Sequence, residues 1–210
     1  TIFFQVILFP LCLYLSVSSF ILVGLSIVIY LIGLHGIFKK INLMKDLFNF
    51  KVEKKVDFIL IFTLILGFFL LASAPVTNID SLDYHLFSAK YLLQNNSFVT
   101  DATNFHSSKL FGSGEILISL GLVVGSEQFG SLLQFSGLLS ILGILRKFNA
   151  NYFFYLILLS SPVLVFFISS IKPQLFSACA SGFAFTLIFL TNFKNYNFNK
   201  FEIKKIIFIL

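Results

Sequence analysis

The amino-acid sequence predicts an all-α protein: a polytopic transmembrane helix bundle with amphipathic interfacial helices in its first large outer loop. Three observations predict it. The 210 residues are 58% hydrophobic and only 11% charged, less than half the roughly 25% of a soluble domain. The mean hydropathy is +0.96, with apolar residues gathered into runs long enough to cross a bilayer. The basic residues, which give a net charge of +6, collect in a few short segments between those runs. A chain with so few polar groups cannot cover a globular surface, which excludes a soluble enzyme, a nucleic-acid-binding domain and a disordered chain.

A membrane-spanning helix needs about 20 apolar residues. Residues 2–38 are apolar almost throughout, too long for one span. Pro10 and the polar patch Ser16-Val17-Ser18-Ser19 divide them into two helices, 2–17 and 19–38. No basic n-region or cleavage site marks 2–17 as a signal peptide. A Lys-rich loop, 39–57, leads to a core region, 58–191, with spans at 58–74, 128–145, 152–170 and 174–191 and a long polar loop at 75–127. A second basic loop follows at 192–205, and 206–210 reads as the start of a further span. The chain begins at Thr1 without Met and stops inside an apolar run, the expectation for a piece of a longer protein. Cys12 and Cys179 both lie in apolar runs and read as small buried hydrophobes.

Within the long loop, Ile116 to Val124 is too short to cross. Bracketed by Gly114-Glu115 and Gly125-Ser126-Glu127, it reads as a helix at the interface or dipping into it. Leu82, Leu86, Ala89 and Leu93 recur at helical spacing and predict an amphipathic helix over 81–94. Orientation follows from the charges. With 39–57 cytoplasmic, the inside set is Lys39, Lys40, Lys45, Lys51, Lys54, Lys55, Arg146, Lys147, Lys194, Lys200, Lys204 and Lys205; only Lys90, Lys109 and Lys172 lie outside. A crossing at 116–124 would erase most of that bias, so the N-terminus is expected inside and 75–127 outside.

No Asp, Glu, Lys or Arg falls at the middle of an expected span, and ion-coupled transporters usually carry such groups at membrane depth. The polar side chains gather in the outer loop, most densely in Asn78-Ile79-Asp80-Ser81-Leu82-Asp83-Tyr84-His85. Two readings stand. Asp80 can cap the following helix with Asp83 in its first turn, or these carboxylates can face the headgroup of a lipid-linked substrate. Lys172 stands in the turn Ser169-Ser170-Ile171-Lys172-Pro173-Gln174, placed either to snorkel or to meet phosphate. His106 and Lys109 can also meet phosphate or sugar. His85, His106 and the nearby carboxylates match no standard metal-ligand spacing, so no cofactor is expected.

A span followed by a short Pro-containing segment and Asp80-Ser81-Leu82-x-Tyr84-His85 resembles the first outer loop of GT-C-type membrane glycosyltransferases. These include the protein mannosyltransferases and the aminoarabinose transferase of lipid A. Asp80 matches the family's acidic position, Tyr84 and His85 its aromatic end, and Asp83 a position that varies. The similarity continues through Asn104-Phe105-His106, the Gly112–Gly125 segment and Ser161-Pro162. The resemblance implies an inverting enzyme of the bacterial inner membrane, its site on the extracytoplasmic side. Its donor would be a polyprenyl-phosphate sugar and its acceptor a glycan, lipid or protein; membrane lipids are its other partners. In that reading Asp80 is the catalytic base with Asp83 in reserve, Tyr84 and His85 orient sugar or acceptor, and Lys172, with His106 and Lys109, binds substrate. The rival classes are a lipid or polysaccharide permease and a non-enzymatic membrane assembly subunit.

Overall fold

The computed structural model describes residues 18–39, 55–96, 112–148, 150–172 and 174–182, and all regular structure among them is helical. The helices are α1 (Ser19–Lys39), α2 (Lys55–Ser73), a π-helical segment (Ser81–Leu86) continuing into α3 (Phe87–Asn95), α4 (Ser113–Val123), α5 (Phe129–Lys147), α6 (Tyr152–Leu159) and α7 (Pro162–Ser169). Residues 174–182 form a further helix, α8. The expected spans at 2–17 and from 206, residues 40–54 of the first basic loop, the second basic loop and the part of the expected 174–191 span beyond 182 lie outside the described residues; Lys39 belongs to α1 and residues 55–57 to α2.

Among the described residues two stretches are long and apolar enough to cross a membrane, Val56–Ser73 and Phe129–Arg146; the pair α6 and α7 makes a third if it is one span. The expected continuous helix over 152–170 is instead bent by 58°. The cause is local. Pro162 opens α7 without an N–H to donate, and the preceding Ser161 is held extended at φ −69°, ψ 120°. The pair nevertheless runs antiparallel to α5: α6 starts after the turn at the C-terminal end of α5, and Ile171, just past α7, presses on Gly130 at its N-terminal end. This is a broken span and not a re-entrant hairpin.

The main core lies between α2, α5, α6, α7 and α8, where Ile61, Ile65, Phe68, Leu138, Leu142, Leu159, Leu164, Ile168 and Cys179 are buried together. The outward side chains of the same helices, such as Phe62, Leu66, Leu70, Phe154, Ile157 and Phe166, are exposed and apolar. That surface suits lipid, and this is an all-α membrane protein. Tails of lipid are as apolar as Leu, so helix association there depends on close packing and polar contacts. One face of α5 supplies both. A Cβ on Gly130 would lie 2.6 Å from Ile171 Cβ, and one on Gly137 would lie 3.1 Å from Phe176 Cα. Between them Gln134, wholly buried, accepts the Phe176 N–H on Oε1 at 2.8 Å, satisfying a donor in the first turn of α8. The close approach of α5 fixes where the 170–172 turn can lie.

α4 is enclosed by the protein and does not rest on its surface. Residues 115–121 are all buried against α1, α3 and α5, with Leu22, Leu92, Ile116, Leu117 and Leu120 in one cluster. Ser26 of α1 donates to the Leu120 carbonyl at 3.2 Å. The helix stops at Gly125, whose φ of +83° few other residues adopt. There Ser126 N–H bonds Gly121 O and Gly125 N–H bonds Leu122 O, the paired closure of a Schellman cap.

Candidate functional site

The Asn78–His85 segment lies at the end of the bundle where α2 finishes and α5 begins. Asn78, and not Asp80, caps the helix: its Oδ1 accepts the Ser81 N–H at 3.3 Å and its carbonyl the Leu82 N–H at 3.0 Å. Asp80 is already helical, at φ −58°, ψ −35°, and makes no side-chain cap bond. The capping account of Asp80 is therefore corrected. Its carboxylate bonds none of the first amides and is turned outward.

It is turned onto Lys172. The ammonium donates to Asp80 Oδ2 at 2.9 Å, with the Lys side chain 18% exposed and the Asp side chain 70% exposed. The adjoining residues repeat the link, since the Ile171 N–H donates to Oγ of the buried Ser81 at 3.4 Å. Ile171 itself is wholly buried among Val76, Leu86, Ala89 and Ile118. An apolar anchor thus holds the turn while its next residue carries charge to Asp80. The Lys172 hydrogen bond and charge hold the Asp80 carboxyl below its ordinary 3.8, with His85 adding to the effect.

The polar segment is itself unusual. Residues 81–86 form a π-helical turn, a geometry found often at functional sites. In an α-helix, residues five apart stand about 140° round the axis; the i→i+5 repeat of a π turn brings them to one side. Asp80 and His85 are five apart. His85 is 9% exposed, and its Nδ1 lies 2.6 Å from Oε1 of Glu115, itself 4% exposed. The other Glu115 oxygen accepts the Gly112 N–H at 2.8 Å. The Tyr84 ring packs on the His85 ring with centroids 4.3 Å apart. Burial, and then the nearby Glu115 charge, push the Tyr84 hydroxyl up to about 12.

Of the residues singled out from the sequence, Asp80, Tyr84, His85 and Lys172 come together here. Asp83 is exposed and makes no ion pair among the described residues; His106 and Lys109 lie outside them. No group of three or more His, Cys, Asp or Glu side chains gathers among the described residues. Glu115, Ser81 and Gly130 were not picked out as parts of the site. Glu115 carried a signal, an ionisable side chain opening an apolar run, because such a group must find a buried partner. Gly130 carried none, since a close approach is invisible until its neighbour is known.

These features define an all-helical membrane protein with a charged and imidazole-bearing cluster at one end of its bundle. The chain belongs to the family described as the DUF1420 N-terminal domain, whose model matches residues 33–210. No curated protein and no solved structure matches it.

Proposed function

We propose that this chain carries the catalytic loop of a GT-C-like membrane glycosyltransferase, moving a sugar from a polyprenyl-phosphate donor to an acceptor hydroxyl with inversion. In this reading the membrane is a bacterial inner membrane and the cluster faces its extracytoplasmic side. The observation that carries the reading is the Asp80–Lys172 pair: one carboxylate and one cation, from distant parts of the chain, meet at 2.9 Å beside a membrane-spanning bundle.

The reaction needs little more. The acceptor O–H gives its proton to the Asp80 carboxylate as its oxygen bonds the anomeric carbon. The bond from that carbon to the phosphate oxygen breaks, and its electron pair leaves on the lipid phosphate. Phosphate departs as an anion, so one general base suffices, and the Lys172 ammonium stabilises the charge that develops. The resting ion pair gives an order to these events. Phosphate competes with Asp80 for Lys172; once it takes the cation, Asp80 loses the partner that depresses its pKa and becomes a stronger base. A permease would need polar side chains facing a cavity along its spans, and Gln134, one such side chain on α5, is wholly buried against α8.

The test is sugar transfer by the full-length protein supplied with a lipid-linked sugar extract. Asp80→Asn removes the base and leaves the Asn78 cap in place, so transfer should fall about 10²–10⁴-fold with membrane insertion unchanged. Near-normal transfer in this variant would overturn the mechanism.

A further inference from the structure

The buried His85–Glu115 pair takes no part in the chemistry above. Taking a carboxylate out of water is costly unless its oxygens are satisfied, and here both are, by His85 Nδ1 and the Gly112 N–H. Apolar side chains of similar volume generally serve stability as well as a buried pair does, and the residues that follow, Ile116 to Gly121, are all buried. Stability alone does not call for the pair.

Its geometry has a chemical consequence. A carboxylate accepts, so Nδ1–H donates to Oε1, and in the neutral ring Nε2 is then the acceptor. Nε2 makes no hydrogen bond among the described residues. The groups facing the ring are Glu115 from α4 and, from its own segment, Tyr84 and Asp80; Lys172 stands beyond, on Asp80. The π turn separates His85 from Asp80 by five residues, and the His85 ring is near enough to act on the Asp80 carboxyl.

We infer that Glu115 is a positioning residue: it holds His85 with Nδ1 turned into the protein and Nε2 toward Asp80, where Nε2 accepts a hydrogen bond from a sugar or acceptor hydroxyl. The inference rests on the glycosyl-transfer reading. It assigns His85 to the hydroxyl side of the substrate and leaves the phosphate to Lys172.

The experiment is nitrogen NMR of the full-length protein with ring-labelled histidine, the His85 signal being assigned by its loss in His85→Gln. The wild type should show His85 as the Nδ1–H tautomer. Glu115→Gln is isosteric, but its amide cannot accept from both Nδ1–H and the Gly112 N–H, so the tautomer should invert or mix. In transfer from the lipid-linked sugar extract, Glu115→Gln and His85→Gln should each lose about tenfold or more, with the double variant no worse than the worse single one, as for groups acting as a unit. A wild-type Nε2–H tautomer, an unchanged tautomer in Glu115→Gln, or losses that multiply would overturn the inference while Asp80-dependent transfer survived. No transfer by the wild type would instead sink the glycosyl-transfer reading, and the tautomer would still decide what Glu115 does.

Discussion

The Lys172 ammonium lies 2.9 Å from the Asp80 carboxylate although 92 positions separate them in the chain. The pair is held from both sides: Ser81 and Ile171 bond next to it, and Gly130 lets α5 press against the turn that carries Lys172. The ion pair therefore reports on the packing of three elements, and its disruption has distinguishable causes.

The first prediction separates the two carboxylates. Asp83→Asn should reduce sugar transfer much less than Asp80→Asn, because Asp83 is exposed and Lys172 lies on its neighbour. Transfer by both variants in one assay checks this; a larger loss in Asp83→Asn would move the base to that residue.

Lys172→Met keeps most of the stem and removes the charge. The turn should still pack through Ile171, while polyprenyl phosphate binds more weakly. Binding of the labelled lipid phosphate to purified protein measures it, and unchanged binding would leave Lys172 as an anchor at the membrane surface.

The Asp80 carboxyl should titrate below 3.8 in the wild type and return toward that value in Lys172→Met. A depressed folded-state pKa contributes stability that is present above the unfolded pKa and lost as the pH falls through the folded one. The thermal stability difference between wild type and Asp80→Asn should thus be constant at neutral pH and vanish on acidification below 3.8. The pair is exposed on its Asp side, so high salt should shrink the difference as well.

Gly130→Ala puts a methyl 2.6 Å from Ile171 Cβ and 2.8 Å from its carbonyl oxygen. Overpacking of this kind costs about 1–3 kcal/mol, and it should also push Lys172 off Asp80. Gly24→Ala, with nothing within 4 Å, is the control and should be neutral or slightly stabilising. Melting temperatures together with the Asp80 titration check both effects; equal behaviour of the two variants would mean the approach at Gly130 does not matter.

Topology is the last test. Reporters fused at Asn95 and at Asn49 should lie on opposite sides of the membrane, Asn95 outside. Finding both on one side would remove α2 as a span and with it the orientation of the site.

Composition determined that the chain belongs in a membrane, because 11% charged residues leave too little polar surface for water, and the length of the apolar runs determined that it is helical. The apolar runs located α2 and α5 to within a few residues, since the length of a span is set by the bilayer. Asp80, Tyr84, His85 and Lys172 were legible as polar residues crowded at the ends of such runs. Three things were decided only in the tertiary structure. The break between α6 and α7 depends on whether Pro162 starts a new helix or kinks an old one, and packing makes that choice. The π turn over 81–86, which lies between Asp80 and the end of the polar segment, is a geometry that a 3.6-residue periodicity cannot reveal. The partners of the charged groups, Lys172 for Asp80 and Glu115 for His85, are 92 and 30 residues away. A local pattern names a group that needs a partner; only the packing of the helices brings that partner within reach.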